Sequence, residues 1–521
     1  MAVEAPFDTY AVADGLRSQR RLIAALAALA AAILGVAIAQ LVYGNAIGLA
    51  VLAAIAVSVV VWMAPWIGVI VLVAGAALIE QFSLVSEGTF SDGTDRIPFF
   101  QSLNAAAGLG GIYASPLELF LALIVLVWLI KGFAGRTLAL PVSPMSMSLA
   151  AFALLVAIGW IRGVLGGGSV QDSLLELRPW LYLTIAFVVT SQLVTSEKHL
   201  RVLLAVLTIG IGIKGIQGVI TLLTHSARPQ AILAHEESFF FGVYLAILAG
   251  LWLLPIRGRL RTLMTVLSPF VLASDIANQR RTAWAIAAVV LVTVFVACYM
   301  GFPERRRTIA GFAALGCVMA GIYWVGFSND PGLLGQPARA VLSQLAPSTR
   351  DQSSNQYRTI EDVNLGITIR QSMPLGTGFG HPIPQTVPNV DISNIDSFIS
   401  YLPHNGILYV WVRLGLAGIV AFWLMISIAV ATAAMTFRKP ANQISLMISM
   451  ALLVAVVAYV TQGFYDMGLY WFRIAIVIGC LMGGLEAARR LSLTHVPSNV
   501  PAPAPQSAAR GERQAKLGHA A

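Results

Sequence analysis

Apolar runs about 20 residues long recur along nearly the whole chain, separated by short polar or charged turns. Coiled at 1.5 Å per residue, such a run spans the ~30 Å hydrocarbon core of a bilayer. The runs are continuous, which excludes an outer-membrane barrel, where apolar and polar residues alternate along each strand. Of 521 residues, 58% are hydrophobic and only 11% charged, against about 25% charged in an ordinary soluble domain. Too few charges exist to clothe a water-facing surface. The expected fold class is therefore an all-α polytopic membrane protein with about 14 (12–14) transmembrane helices and one large external loop bearing short helices.

The expected spans are approximately 22–42, 46–63, 66–84, 116–133, 147–166, 179–195, 202–224, 238–256, 262–275, 282–302, 308–327, 406–435, 444–463 and 469–488. The ninth is short and carries Pro269; the twelfth reads either as two elements or as one long tilted helix. The resulting organisation is a cytoplasmic N-terminus (1–21), helices 1–11 (22–327), a large periplasmic or extracellular loop (328–405), helices 12–14 (406–490) and a disordered cytoplasmic tail (491–521). No cleavable signal peptide is expected, because the first run is full length and lacks a small-residue cleavage site.

Charge placement sets the orientation. With a cytoplasmic N-terminus, Arg17/Arg20/Arg21, Lys131/Arg136, Lys198/Arg201, Arg257/Arg259/Arg261, Arg305/Arg306/Arg307, Arg438/Lys439 and Arg489/Arg490 all fall inside, as the positive-inside rule requires. Most of the net charge of +9 is thus a topology signal. A nucleic-acid partner is not expected, since no basic stripe with interleaved aromatics is present. The three cysteines, Cys298, Cys317 and Cys480, lie in apolar runs and imply neither disulfides nor metal.

The outer face holds the unusual features. Its 328–405 loop contains an amphipathic stretch, Tyr357 to Met373, expected to form a short helix on the membrane surface. A glycine-rich turn follows at Pro374-Leu375-Gly376-Thr377-Gly378-Phe379-Gly380, and the loop ends in Tyr401-Leu402-Pro403-His404-Asn405-Gly406. The turn lacks the lysine and the strand–helix context of a nucleotide site. His235, Glu236 and Glu237 are adjacent in sequence and lack ligand geometry, so no metal site is expected. Basic residues that break the inside preference are the informative ones: Arg96, Arg162, Arg178, Arg228, Arg280, Arg281, Arg339, Arg350, Arg358 and Arg370 on the outer side, and Lys214, Arg413 and Arg473 in or at the edge of spans. A charge within a span costs at least about 2.5–3.5 kcal/mol on insertion scales.

Leu177-Arg178-Pro179-Trp180-Leu181-Tyr182, Arg281-Thr282-Ala283-Trp284, the glycine-rich turn, and His404-Asn405-Gly406 followed by Gly415-Leu416-Ala417-Gly418 make residues 150–480 resemble the O-antigen ligase and O-antigen polymerase superfamily. The resemblance implies a glycosyltransferase of the bacterial inner membrane that takes glycan from an undecaprenyl-diphosphate donor, without a cofactor or metal. The acceptor would be a hydroxyl of a second glycan or of lipid A-core, with a chain-length regulator as a further partner. His404 is then the general base, with a pKa suited to proton transfer near neutrality. Arg281 is the catalytic arginine that neutralises the diphosphate leaving group. Arg228 corresponds to the family's second arginine; Arg280, Arg178, Lys214 and Asn405 are further substrate-binding candidates. Protein O-oligosaccharyltransfer is a third acceptor class. The rival from another class is a lipid-linked oligosaccharide flippase, against which stands the missing half-length repeat.

Overall fold

The computed structural model describes residues 46–81, 94, 97, 99–104, 113–136, 138, 142–224, 231–391, 398 and 400–494. The expected span 22–42, the Arg17/Arg20/Arg21 cluster, Arg228 and the tail beyond 494 lie outside the described residues. Among the described residues all regular structure is helical. The helices are α1 (Ala46–Met63), α2 (Pro65–Leu78), α3 (Pro116–Gly135), α4 (Pro144–Leu165), α5 (Val170–Leu193), α6 (Glu197–Thr224), α7 (Glu237–Leu253), α8 (Arg259–Ala277), α9 (Arg281–Gly301), α10 (Arg306–Phe327), α11 (Gln336–Leu345), α12 (Thr349–Ser372), α13 (Gly406–Arg438), α14 (Gln443–Tyr465) and α15 (Phe472–Thr494). Nine of the described helices, α3–α6, α8–α10, α13 and α14, are long and apolar enough to cross a membrane. Helices α2 and α7 are apolar but shorter, and α15 carries Arg473, Glu486, Arg489 and Arg490. The chain is a multi-pass helical membrane protein.

Local sequence fixes several helix starts. Ser115 and Ser143 each accept the third helical N–H of the following helix in a capping box, with Pro116 and Pro144 at the first position. Ser169, Asn405 and Asn442 cap α5, α13 and α14 through their side chains. Each cap satisfies a backbone donor that bilayer or protein interior would otherwise strand.

Helix α14 is the centre of the bundle, 83% of its apolar window buried, whereas α10 is a rim helix with 6%. Helix α15 packs on α5 through Gly479 and Gly483, four residues apart, where a Cβ would strike the α5 backbone at Leu183 and Phe187. Small residues at that spacing let two helices approach closely, which is how helices associate in lipid. Antiparallel neighbours gather the basic turns at one end. There Arg490 donates to the Val194 carbonyl at 3.1 Å and Asn442 to Glu197 at 2.7 Å.

The opposite end carries the described parts of the 328–405 segment. Helix α12 is longer than the expected amphipathic stretch, and it packs against α13 rather than standing apart on a surface. Its buried face is partly polar: Glu361, Asn364, Leu365, Thr368 and Ile369 are buried, while Val363 is 46% exposed. Polar groups are buried there because they bind loop backbone, as where Asn364 accepts from the Val387 N–H at 2.7 Å and donates to its carbonyl at 2.9 Å.

The glycine-rich turn is a junction between helices. Thr377 and Gly378 N–H groups donate to the Val412 and Arg413 carbonyls at 2.7 and 3.0 Å, and Leu416 donates to Pro374 O at 2.8 Å. Helix α13 breaks at Gly415 (φ +66°), so the twelfth expected span is two helical pieces sharing one kink. No side chain fits there, because a Cβ would strike Pro374 O. Arg162 donates to Gly376 O at 2.8 Å, and Phe379 is fully buried. The turn does not cradle phosphate; it anchors the large loop to α4, α5 and α13.

Candidate functional site

A cavity of about 660 Å³ lies at the loop end, between the start of α9, the middle of α11 and of α12, the start of α13 and the end of α14. His404 and Asn405 reach it from the mouth of α13, Arg281 from the first turn of α9, and Arg358, Glu361 and Asp362 from α12. Five helices thus bring two predicted catalytic residues more than a hundred positions apart, His404 and Arg281, to one space.

Glu361 holds His404. Its Oε2 accepts the His404 backbone N–H at 2.9 Å and lies 3.1 Å from Nδ1. A buried carboxylate on Nδ1 favours the tautomer with the proton there, which leaves Nε2 as the unprotonated nitrogen of a ring that lines the cavity. The Tyr357 ring meets the imidazole edge-on with centroids 5.7 Å apart. Asn405 accepts the Leu408 N–H at 3.1 Å as the α13 cap while also bonding Asp362. Burial, only partly offset by Asn405, pushes the Asp362 carboxyl up from its ordinary value.

Arg281 is loosely held. Its Nη1 lies 3.4 Å from Asp351 and Nη2 3.4 Å from Asn355 Oδ1, longer than the ~2.7–2.9 Å of a strong charged hydrogen bond. Among the described residues, buried Nη1 makes no hydrogen bond. Trp284, one turn on, donates to Gln336 at 2.6 Å and ties α9 to α11. Arg280 is the residue before α9, half-buried, and does not line the cavity.

The remaining predicted residues lie elsewhere. Arg178 donates to Glu118 at 2.8 Å and to Tyr113 O at 2.6 Å, and lines a second cavity. Lys214 is fully buried, 3.3 Å from Glu80, and lines neither cavity. Arg228 lies outside the described residues. Glu236 and Glu237, rejected as metal ligands in the sequence, converge on buried Arg473 at 3.0 and 2.6 Å. Glu176 pairs with Arg413, which also reaches Tyr401 O at 3.1 Å and Gly378 O at 3.3 Å. That arginine therefore pins both sides of the loop leading to His404.

Sequence reasoning missed Glu361 and the His235–Asp466 pair, whose Nδ1–Oδ2 distance is 3.0 Å, and it singled out Arg358 only as one of ten external arginines. Burial alone would raise the Asp466 carboxyl, but His235, helped by the Arg358 charge, holds it well below the usual carboxylate range. Glu361 and Arg358 sit at i and i−3 on α12 and so share a face. That spacing, beside an arginine that breaks the inside preference, was the signal for Glu361 in the sequence.

An apolar groove of about 560 Å³ continues from the cavity, sharing Phe464 and Tyr465 with it and running along α9, α13 and α14 past Val289, Trp423, Ile426 and Val457. A charged head space is thus joined to an apolar channel along the helices. No protein-family model matches the chain, and no curated protein matches its sequence.

Proposed function

We propose that the protein transfers a glycan from a polyprenyl-diphosphate donor to an acceptor hydroxyl, with His404 as general base. One observation carries the reading: a cavity holding His404 and Arg281 opens into an apolar groove between membrane-spanning helices. An amphiphile with a diphosphate head and a long hydrocarbon tail fits that combination of chemistry.

In the proposed reaction the acceptor oxygen attacks the anomeric carbon of the donor sugar, and His404 Nε2 takes the hydroxyl proton. The bond from that carbon to the diphosphate oxygen breaks, and the electron pair leaves with the polyprenyl diphosphate. Attack opposite the leaving group inverts the anomeric configuration. Arg281, joined by Arg358, offsets the charge that develops on the leaving oxygen; fixed donors aimed at such charge contribute about 2.7–4 kcal/mol each. Glu361 keeps the imidazole oriented and steadies its positive charge after proton transfer. The resemblance to O-antigen ligases and polymerases, the inner-membrane location and the outward orientation of this end belong to the same proposal.

The test is a reaction of purified protein with an undecaprenyl-diphosphate glycan and candidate acceptors, in EDTA, with product glycan and free undecaprenyl diphosphate measured together. Stoichiometric appearance of both is expected. Movement of the donor across a vesicle membrane with no new glycosidic bond would replace the transferase reading with a flippase.

A further inference from the structure

A second cavity, about 340 Å³, opens at the same end of the bundle, and the 400–405 stretch contributes to the walls of both. Leu402 lines the second cavity; His404, two residues on, lines the first. The volume is at the lower end of the ~300–1,000 Å³ range of small-molecule sites.

Two buried polar atoms belonging to its lining have no hydrogen-bond partner among the described residues: Gln81 Nε2 and Tyr470 Oη. Gln81 is 4% exposed and Tyr470 7%. The Gln81 amide is oriented by its other atom, since Oε1 accepts the Phe472 N–H at 2.8 Å. A buried donor left without a partner costs about 1–3 kcal/mol, so two beside one cavity call for a polar guest. The other walls include the rings of Phe100, Phe398 and Phe472. Arg178 also lines the space, but Glu118 already neutralises it, which disfavours an anionic guest.

Aromatic faces with a few fixed donors and acceptors, and no net charge, suit a sugar ring. Its C–H face packs on the rings while its hydroxyls satisfy the amide and the phenol. We propose that this cavity binds a neutral sugar and holds the acceptor glycan next to His404. The acceptor role rests on the transfer reading above; sugar binding does not.

Saturation-transfer NMR on the full chain in nanodiscs tests it. The probe is the delipidated oligosaccharide released by mild acid from the source cell's own surface polysaccharide. Wild type and His404→Ala are expected to bind it alike, whereas Gln81→Leu and Tyr470→Phe each weaken binding about fivefold, the yield of one lost hydrogen bond. Gln171→Trp, which fills the mouth from an exposed position, should abolish binding without touching either buried group, and thermal unfolding of each variant checks the fold. No saturation in wild type, equal affinity in all three cavity variants, or density showing only ordered water with the oligosaccharide present would each overturn the proposal. If His404→Ala transfers glycan at the wild-type rate while the sugar still binds here, the transfer reading falls and the sugar site stands.

Discussion

Two sets of charges occupy this helical bundle, and they differ in how they are held. In the buried set, Arg473 lies between Glu236 and Glu237 at 3.0 and 2.6 Å, and Lys214 on Glu80 at 3.3 Å, with Arg473, Lys214, Glu80 and Glu237 side chains fully buried. In the cavity set, Arg281 stands 3.4 Å from an Asp351 that is itself a quarter exposed, and Arg358 lines open space. Both sets violate the expectation that membrane helices are apolar. Charge inside such a chain is therefore not by itself a sign of chemistry. What separates the sets is pairing and access: the first has spent its charge within the protein, while the second keeps donors turned to a space a substrate can enter.

Variants should split along that line. His404→Ala is expected to lower transfer by about 100- to 10,000-fold, the usual contribution of a general base, with thermal stability unchanged; single-turnover transfer and an unfolding scan check both halves. Arg473→Met should do the converse, costing about 3–5 kcal/mol because it strands two buried carboxylates, and would show as loss of folded protein in detergent. Arg281→Lys keeps the charge but not the forked geometry, and about a 100-fold loss of transfer with normal folding is expected. Replacing Lys214 and Glu80 together, by Met and Gln, should be far milder than Lys214→Met alone, because no buried charge is left unpaired. Asp351→Asn should change stability by less than about 1 kcal/mol, the worth of a part-exposed pair. An inactive but stable Lys214 and Glu80 double variant would break the comparison.

The sequence made the helices legible because their signal is local. A run of the right length, a serine or asparagine before it and a basic turn after it suffice: each expected segment from 46–63 onward overlaps a helix, and nine of the described helices are long and apolar enough to cross a membrane. His404 and Arg281 stood out through motif and through breaking the inside preference. Glu361 did not, because the apolar residues of α12 carry its sequence pattern, whereas its buried face includes Glu361 and Asn364 bonding to histidine and loop backbone. The sequence offered Gln217 or Asp275 as partners for Lys214, because its actual partner, Glu80, lies just past a helix more than a hundred residues earlier. The glycine-rich turn could be dismissed as a phosphate loop from sequence, yet its work as a junction depends on the Gly415 kink and on Glu176 and Arg413, which only packing brings together.

The most direct measurement is photo-crosslinking of the purified chain with an undecaprenyl diphosphate carrying a diazirine in the isoprene units nearest the diphosphate, followed by mass-spectrometric mapping. The account predicts adducts on the cavity-side turns of α9, α12 and α14, around Ala285, Thr359 and Phe464, competed away by unlabelled lipid and weakened in Arg281→Lys. Adducts confined to the outer face of α10, or to the surroundings of Lys214 and Glu80, would contradict it.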